Sequence, residues 1–484
     1  MTESLHVAFA SPEVAPFVKT GGLADVSAAL PKALARRGHR VTVLLPRYGS
    51  IPFPPGEFAG SVPVPVDRAH RSAGFYVAEG EEGIRTVFVD HAPFFDRPFP
   101  YGVGNRDYED NRLRFAFFAR ACLEFFRSRG QRPDVFHAHD WQTGLLPVYL
   151  KVLYWHDAVL ARVPTVFTIH NLAYQGNFGL DTLEALGLPA HLTAKEGVEF
   201  HGHVSYLKAG LLFSEVLTTV SPTYAREITT PEHGYGLDGV LRARSGDLAG
   251  ILNGVDYEEW DPRVDPHIAR PYSATRPAGK AACKADLLAA FSLPAEPELP
   301  LLGVISRLVH QKGFDLLVAA GEELLRRPLR LVVLGTGEHD VQAGLRRLAQ
   351  RAPDRVAVRF AYEPTLAHRI EAGADMFLMP SRYEPCGLTQ MYSLRYGTVP
   401  VVRATGGLVD TVVPWNPATG EGTGFLFEHA DAGGLLWGID QALDAWRDPK
   451  GWRRLMRNGM SRDFSWLRAA GSYEAVYGRA MGQA

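Results

Sequence analysis

The sequence predicts an α/β protein built on parallel sheets, and three features carry that expectation. Short apolar runs of strand length recur between segments of helical spacing, they end in polar or glycine-bearing loops, and those loops open directly into helices. The pattern is plainest from 374 to 412. Ala374–Met379 is an apolar run stopped by Pro380, and Leu388 to Tyr396 has helical spacing closed by Gly397. Val399–Val402 is a second strand-like run, and Thr405-Gly406-Gly407 turns into another helix. Such sheets collect ligands at the carboxyl ends of strands, where loops meet helix N-termini.

From the N-terminus, Leu5–Ala10 reads as a buried strand, and a loop to Gly22 leads into a helix beginning at Leu23. Pro31 falls inside that helix and should kink or divide it. Gly38 closes it, and Val41–Leu45 is the next strand. In the loop, Lys19-Thr20-Gly21-Gly22 combines exposed amides with a point charge, which suits a phosphate. Neither the GxxxxGK[ST] nor the GxGxxG spacing is present, and taken alone a glycine turn with a solvated lysine is the simpler reading. Residues 51 to 100 are rich in proline and glycine, with strand-like pieces such as Thr86–Val89. The aromatic passage 94–101 fits a sugar-stacking loop or, more simply, a small satellite core.

Asn111 to Phe126 is a helix. The runs 134–141 and 165–171 are strands of one design, each with polar groups at its carboxyl end. His137, His139 and His170 lack a further ligand at zinc spacing, which leaves substrate hydrogen bonding or satisfied core histidines. Asn253-Gly254 marks a turn, and a proline-rich passage, 261–277, follows it. The expected division is a first domain over 1–250, a second over 251–463, and an amphipathic helical tail over 464–484.

The second domain starts at Leu301–Ser306, and its first loop holds two cations, Arg307 and Lys312. Leu331–Leu334 leads to a glycine turn at 335–337, and Tyr362 precedes the opening stretch. In that stretch Pro385 keeps Glu384 out of helical dihedrals, while Gly387 lets backbone approach a ligand closely. The amides of Leu388 and Thr389 would be unpaired donors of a helix start. A carboxylate beside free amides can bind sugar hydroxyls and phosphate together; a merely solvated loop fits these few residues equally well.

At 484 residues the chain is long enough for two cores. A formal net charge of -2 supplies no basic field for nucleic acid or an anionic membrane. Three scattered cysteines, Cys122, Cys283 and Cys386, match no metal spacing and suit a reducing compartment. No run reaches the length of a membrane span and the N-terminus lacks a signal-peptide pattern, so a cytoplasmic location is expected.

Read together, the motifs become specific. KTGGLAD at 19–25, HAHDW at 137–141, TIHN at 168–171, NGVD at 253–256, SRL through Lys312-Gly313, the stretch 380–389 and TGGL at 405–408 occur in this order. Across nearly its whole length the chain resembles bacterial glycogen synthases and plant starch synthases. The resemblance implies the GT-B fold, two Rossmann-like domains facing a deep inter-domain cleft, with the C-terminal tail crossing back onto the first domain. It implies retaining transfer of glucose from ADP-glucose to the non-reducing end of an α-1,4-glucan, with no cofactor or metal. It further implies that Lys19 and the Gly21 and Gly22 amides, with Asp25 and Asn253, belong to the donor-binding set. Arg307 and Lys312 would neutralise the diphosphate, assisted by the loop of Cys386, Gly387, Leu388 and Thr389. Glu384 would hold glucose hydroxyls, with Asp140, His170 and Asn171 near the reacting carbon and Tyr362 by the adenine. More distant GT-B relatives carry two glutamates eight apart; here the second position is Tyr392, a loss shared by the glycogen and starch synthases.

Rival classes are a nucleotide-sugar epimerase, which needs no glucan, and a non-catalytic glucan-binding protein. The latter has little reason to keep Lys19, Arg307, Lys312 and Glu384 together. An NAD dehydrogenase lacks its fingerprint here.

Overall fold

The computed structural model describes residues 4–104, 106–194 and 197–482. The chain divides into two compact units, one of 1–254 with 466–484, the other of 255–465.

Unit 1 is organised by a nine-stranded sheet. Its order is Leu248–Gly250, Val216–Thr219, Thr165–Ile169, Val135–His139, His6–Ala10, Arg40–Pro46, Arg85–Asp90, Ala69–Glu79 and Glu57–Val66. Every pairing is parallel up to Arg85–Asp90, and the last two strands add an antiparallel hairpin. The central strands His6–Ala10, Val135–His139 and Thr165–Ile169 are buried along their whole length, so the polar residues that they carry need partners inside the core. The proline- and glycine-rich passage 51–100 thus joins the main sheet. It contributes the long hairpin, whose edge strand carries Pro63 and Pro65, residues tolerated only where no ladder donor is needed.

The helix Gly22–Arg36 runs through Pro31 undivided, so of the kink or division expected there the division does not occur. Leu30, Pro31, Ala33 and Leu34 are all buried, so packing of this face offsets the lost backbone bond. The aromatic passage resolves toward core: Phe94 and Phe95 are buried, and the Phe94 ring sits 5.5 Å from that of Phe117. The last helix, Trp466–Ala480, packs on Gly22–Arg36. Arg37 donates to both carboxylate oxygens of Glu474, at 2.6 and 2.7 Å, and Tyr477 reaches His137 at 2.9 Å.

Unit 2 holds a six-stranded sheet in the order Val356–Arg359, Arg330–Leu334, Leu301–Ile305, Met376–Met379, Val399–Arg403, Phe425–Phe427, all parallel. Alternate residues feed two cores. Leu331 and Val333 join one cluster with Leu378 and Val401, while Val332 and Leu334 join the other with Phe377 and Val402. Counted along the chain, this order is 3-2-1-4-5-6, that of a dinucleotide-type doubly wound sheet. The parallel strands of unit 1 follow the same logic, with His6–Ala10 beside Val135–His139 at the reversal. In each unit the reversal opens a crevice at the carboxyl ends of two adjacent strands, and that is where the candidate groups lie.

Candidate active site

In unit 1 the crevice lies between the loop after His6–Ala10 and the loops after Val135–His139 and Thr165–Ile169. The first loop is organised by Glu13, a residue the sequence reading missed. Its carboxylate accepts the Thr20 and Gly21 amides at 2.6 and 3.3 Å, the Thr20 hydroxyl at 2.5 Å and the Tyr101 hydroxyl at 2.6 Å. The Gly21 amide expected to face a phosphate therefore already donates to a carboxylate. Gly22 is the first residue of the helix. Lys19 is likewise no lone point charge, since it donates to Asp25 at 2.7 Å, both side chains remaining partly exposed. Nothing in local spacing marks Glu13; only the fold brings it over the glycine turn.

Asp140 follows its strand with φ 55°, a left-handed backbone that turns its carboxylate back across the next strand end. Its Oδ1 accepts the His170 amide at 2.7 Å, and the Asn171 amide adds a second bond. Burial pushes its pKa up to about 7 despite those bonds, and the nearby Glu13 charge adds to the rise. Part of Asp140 remains reachable from outside. His170 is 9% exposed, and burial pulls its pKa down to about 3, so the ring is neutral at physiological pH. Asn171 Oδ1 accepts the Ala173 amide at 3.1 Å, bracing the turn after the strand. His137 is a satisfied core histidine, bonded to Thr168 and Tyr477. Asn253 is buried at the end of the unit, and its Oδ1 has no partner among the described residues.

In unit 2 the reversal falls between Leu301–Ile305 and Met376–Met379. The loop after the first strand carries Arg307 and Lys312, and the loop after the second carries Glu384. Gly313, at φ 71°, lets the two loops touch, because a Cβ there would overlap the Pro380 carbonyl oxygen. Lys312 Nζ consequently reaches Glu384 Oε2 at 2.6 Å, and Ser381 donates to the same oxygen at 2.9 Å. Glu384 is 5% exposed, and its Oε1 has no partner among the described residues. Arg307 is exposed and, again among the described residues, makes no ion pair.

Gly387, at φ 72°, leads through Leu388 into the helix Thr389–Arg395. No backbone acceptor takes the Leu388 or Thr389 amide among the described residues. Gln390, which sequence reasoning passed over, ties this loop down by donating to the Cys386 and Gly387 carbonyls and to Thr411. Cys386 itself is buried, and its carbonyl lies where a Cβ on Gly407 would stand. Tyr392 stacks on Trp260 with ring centroids 4.1 Å apart, and Trp260 in turn stacks on His368 at 3.8 Å. Tyr362 stands past the end of Val356–Arg359, 79% exposed, on the rim of a cavity of ≈ 470 Å³ lined also by Arg359, Pro364 and Arg369. The fold thus joins Lys312 to Glu384, Asp140 to His170 and Asn171, and Lys19 to Asp25.

Comparison with known proteins identifies what this arrangement belongs to. The family described as starch synthase catalytic domain matches residues 6–243, and glycosyl transferases group 1 matches 289–459. Over 477 residues the chain is 50% identical to the glycogen synthase of Koribacter versatilis, covering 98% of both chains. The chain belongs to the glycogen and starch synthase family. The glycogen synthase of an Anaeromyxobacter species is 51% identical over 485 residues, 98% of this chain and 99% of that one. Among solved structures, the catalytic domain of starch synthase IV from Arabidopsis thaliana, bound to ADP and acarbose, superposes with a TM-score of 0.90. It is 34% identical, covering 99% of this chain and 100% of that one. As a family member the chain is a glycosyltransferase of the glycogen synthase class with the GT-B fold of two Rossmann-like domains. Among the described residues no helix is long and apolar enough to cross a membrane.

Proposed function

We propose that the chain transfers glucose from ADP-glucose to the non-reducing end of an α-1,4-glucan, with retention of configuration, in the cytoplasm. The observation that carries this reading is the Lys312–Glu384 pair at the strand reversal of unit 2. There a carboxylate with one unoccupied oxygen stands beside cations and unpaired helix-start amides. That set matches a ligand with sugar hydroxyls at one end and a diphosphate at the other.

On this reading residues 251–463 take the nucleotide sugar, and 1–250 with the tail take the acceptor side. Arg307 and Lys312 meet the charge that grows on the diphosphate as ADP departs, with Gly387, Leu388 and Thr389 amides assisting beside Cys386. Fixed cations need no reorganisation at that moment, so a divalent ion is not required. Glu384 Oε1 accepts glucose hydroxyls, and Tyr362 lies along the adenine. From unit 1, Asp140, His170 and Asn171 act near the reacting carbon, and Lys19, Gly21, Gly22, Asp25 and Asn253 support the donor. Because Glu13 and Asp25 already hold Gly21 and Lys19, those two act by shaping the loop, or after Lys19 exchanges partners. The acceptor hydroxyl attacks from the face the phosphate leaves, and a phosphate oxygen takes its proton.

The test is transfer of labelled glucose from ADP-glucose and from UDP-glucose to glycogen, with and without EDTA. Label in α-1,4-linked polymer, preferring ADP-glucose and insensitive to EDTA, is expected. Preference for UDP-glucose, or loss in EDTA restored by magnesium, would overturn the donor or the metal-free assignment. Epimerised free nucleotide sugar with no polymer would overturn the activity.

A further inference from the structure

We propose that His139 acts as a positioning residue that fixes the tautomer of His170, making His170 Nδ1 a hydrogen-bond donor toward bound sugar. The role in transfer rests on the function proposed above; the tautomer itself rests on geometry alone.

His139 Nδ1 and His170 Nε2 are 3.0 Å apart and both rings are buried. Burial, together with the neighbouring imidazoles, holds His139 well below its ordinary pKa, and His170 is neutral for the same reason of burial. Two neutral imidazoles sharing one hydrogen bond must have a single proton between the facing nitrogens. Suppose that proton belonged to His170. His139 would then accept at Nδ1 and carry its own proton on Nε2, which is buried and has no partner among the described residues. A buried N–H without an acceptor is the worse of the two orphans, since an unused lone pair leaves no donor stranded. The proton therefore sits on His139 Nδ1 and is donated to His170 Nε2. His170 must then carry its proton on Nδ1.

The alternatives to this arrangement are closed. Turning the His139 ring over would put a carbon where Nδ1 stands and break the bond. The ring is also packed against Phe9 and His137, each with its centroid 4.1 Å away. His170 is fixed from its backbone by the 2.7 Å bond to Asp140. Among the described residues no group bonds His170 Nδ1, so that N–H is the polar function the ring has left for a ligand. It is a neutral donor and cannot serve as a general base. Its partner must be an acceptor, such as a sugar hydroxyl oxygen. Free imidazole of histidine favours the other tautomer, so without His139 the ring would present a lone pair to that oxygen.

The experiment uses the full chain labelled with ¹⁵N-histidine and long-range ¹H–¹⁵N spectra, with the His170 signals assigned by their loss in His170→Gln. Wild type should show His170 protonated at Nδ1. In His139→Ala water can fill the vacated space and accept from Nε2, so the Nε2–H form should predominate. There kcat should fall about tenfold or more, as expected for loss of a hydrogen bond to the reacting sugar, with donor KM little changed. His139→Asn places an amide N–H where Nδ1–H stood, and should restore both the Nδ1–H form and most of kcat. His170 protonated at Nε2 in wild type overturns the proposal, as does His139→Ala with the Nδ1–H form retained. Equal kcat losses in the Ala and Asn variants, with the Nδ1–H form present in the Asn variant, also overturn it, because packing alone would then explain the effect. If wild type transfers no glucose, the function fails while the tautomer result stands.

Discussion

In unit 1 the candidate groups are withdrawn from water: Asp140, His139 and His170 are displaced by burial toward their neutral forms, and they act through directed hydrogen bonds. In unit 2 the candidate groups form an ion pair or stand in solvent, with Lys312 against Glu384 at 2.6 Å and Arg307 exposed on the same loop as Lys312. Both sets stand at the same topological position, the reversal of a parallel sheet, so strand order does not set their chemistry. The difference lies in how each crevice is filled. His170 borders the first, with the buried rings of His139, His137 and Phe9 packed behind it, which favours uncharged polar groups and suits a polyol. In the second, two loops meet at Gly313 and leave one carboxylate oxygen and one guanidinium unpartnered among the described residues, which suits a ligand that is part hydroxyl and part anion.

The largest expected effect tests the charged half. Glu384→Gln should lower kcat by about 10²–10³, the scale for removing one preorganised group that acts on the transition state. Lys312→Ala should lose a similar factor and also weaken ADP binding, read by calorimetry. Normal turnover in both variants would show the ion pair to be structural and would erase the contrast.

A smaller loss is expected from the neutral half. Asp140 titrates near pH 7, so if its anion orders the His170 and Asn171 amides, kcat should rise with pH through about 7. Asp140→Asn should flatten that limb and lower the plateau by about 10- to 100-fold, the worth of a charge-assisted hydrogen bond. A pH profile unchanged by the substitution would remove Asp140 from the site.

Stability offers a sharper control, because unit 2 also contains buried groups resembling those of unit 1. Burial raises Glu371 to about 8 and lowers Lys280 to about 8. Glu371 thus binds a proton in the native state that the unfolded chain releases above about pH 4.5. Native binding exceeds unfolded binding across that window, so its contribution to stability is full below pH 4.5 and is lost as pH rises through 8. Glu371→Gln should leave stability little altered near pH 5 and raise it by about 1 kcal/mol or more at pH 8. Denaturation across pH 5–8 reads this directly, and parallel curves for the two proteins would refute it.

The smallest effect belongs to Tyr362. It is 79% exposed, and Tyr362→Ala should leave Tm within about 1 °C and kcat unchanged, as surface substitutions do. Donor KM should rise only a few-fold. A loss comparable to that of Glu384→Gln would move the adenine contact to the centre of the site.

Much of this was legible in the chain. The runs at 6–10 and 376–379 are buried along their whole length and read as nearly continuous apolar segments, while 135–139, equally buried, carries His137 and His139 among its apolar residues. Gly387, read from the sequence as the point where backbone can approach a ligand closely, does adopt positive φ. Misreadings came where the deciding partner is distant in sequence. Pro31 argued locally against a continuous helix, but its buried face is held by tertiary packing. The hairpin of 57–79 was masked by glycine and proline because an edge strand tolerates both.

By itself, then, the sequence determined the alternation of strands and helices, the loops that follow each strand, and the residue types available in them, since these depend on periodicity and backbone sterics over a few positions. Only the tertiary structure decided which of those residues meet. Tyr101 and Thr20 converge on Glu13 across 88 and 7 positions, Lys312 reaches Glu384 across 72, and His139 reaches His170 across 31. Whether a carboxylate there is an anion or an acid, and which nitrogen of a histidine carries the proton, follows from desolvation and from partners brought in by strand order. Those quantities belong to the packed crevice, and no local stretch of the chain contains them.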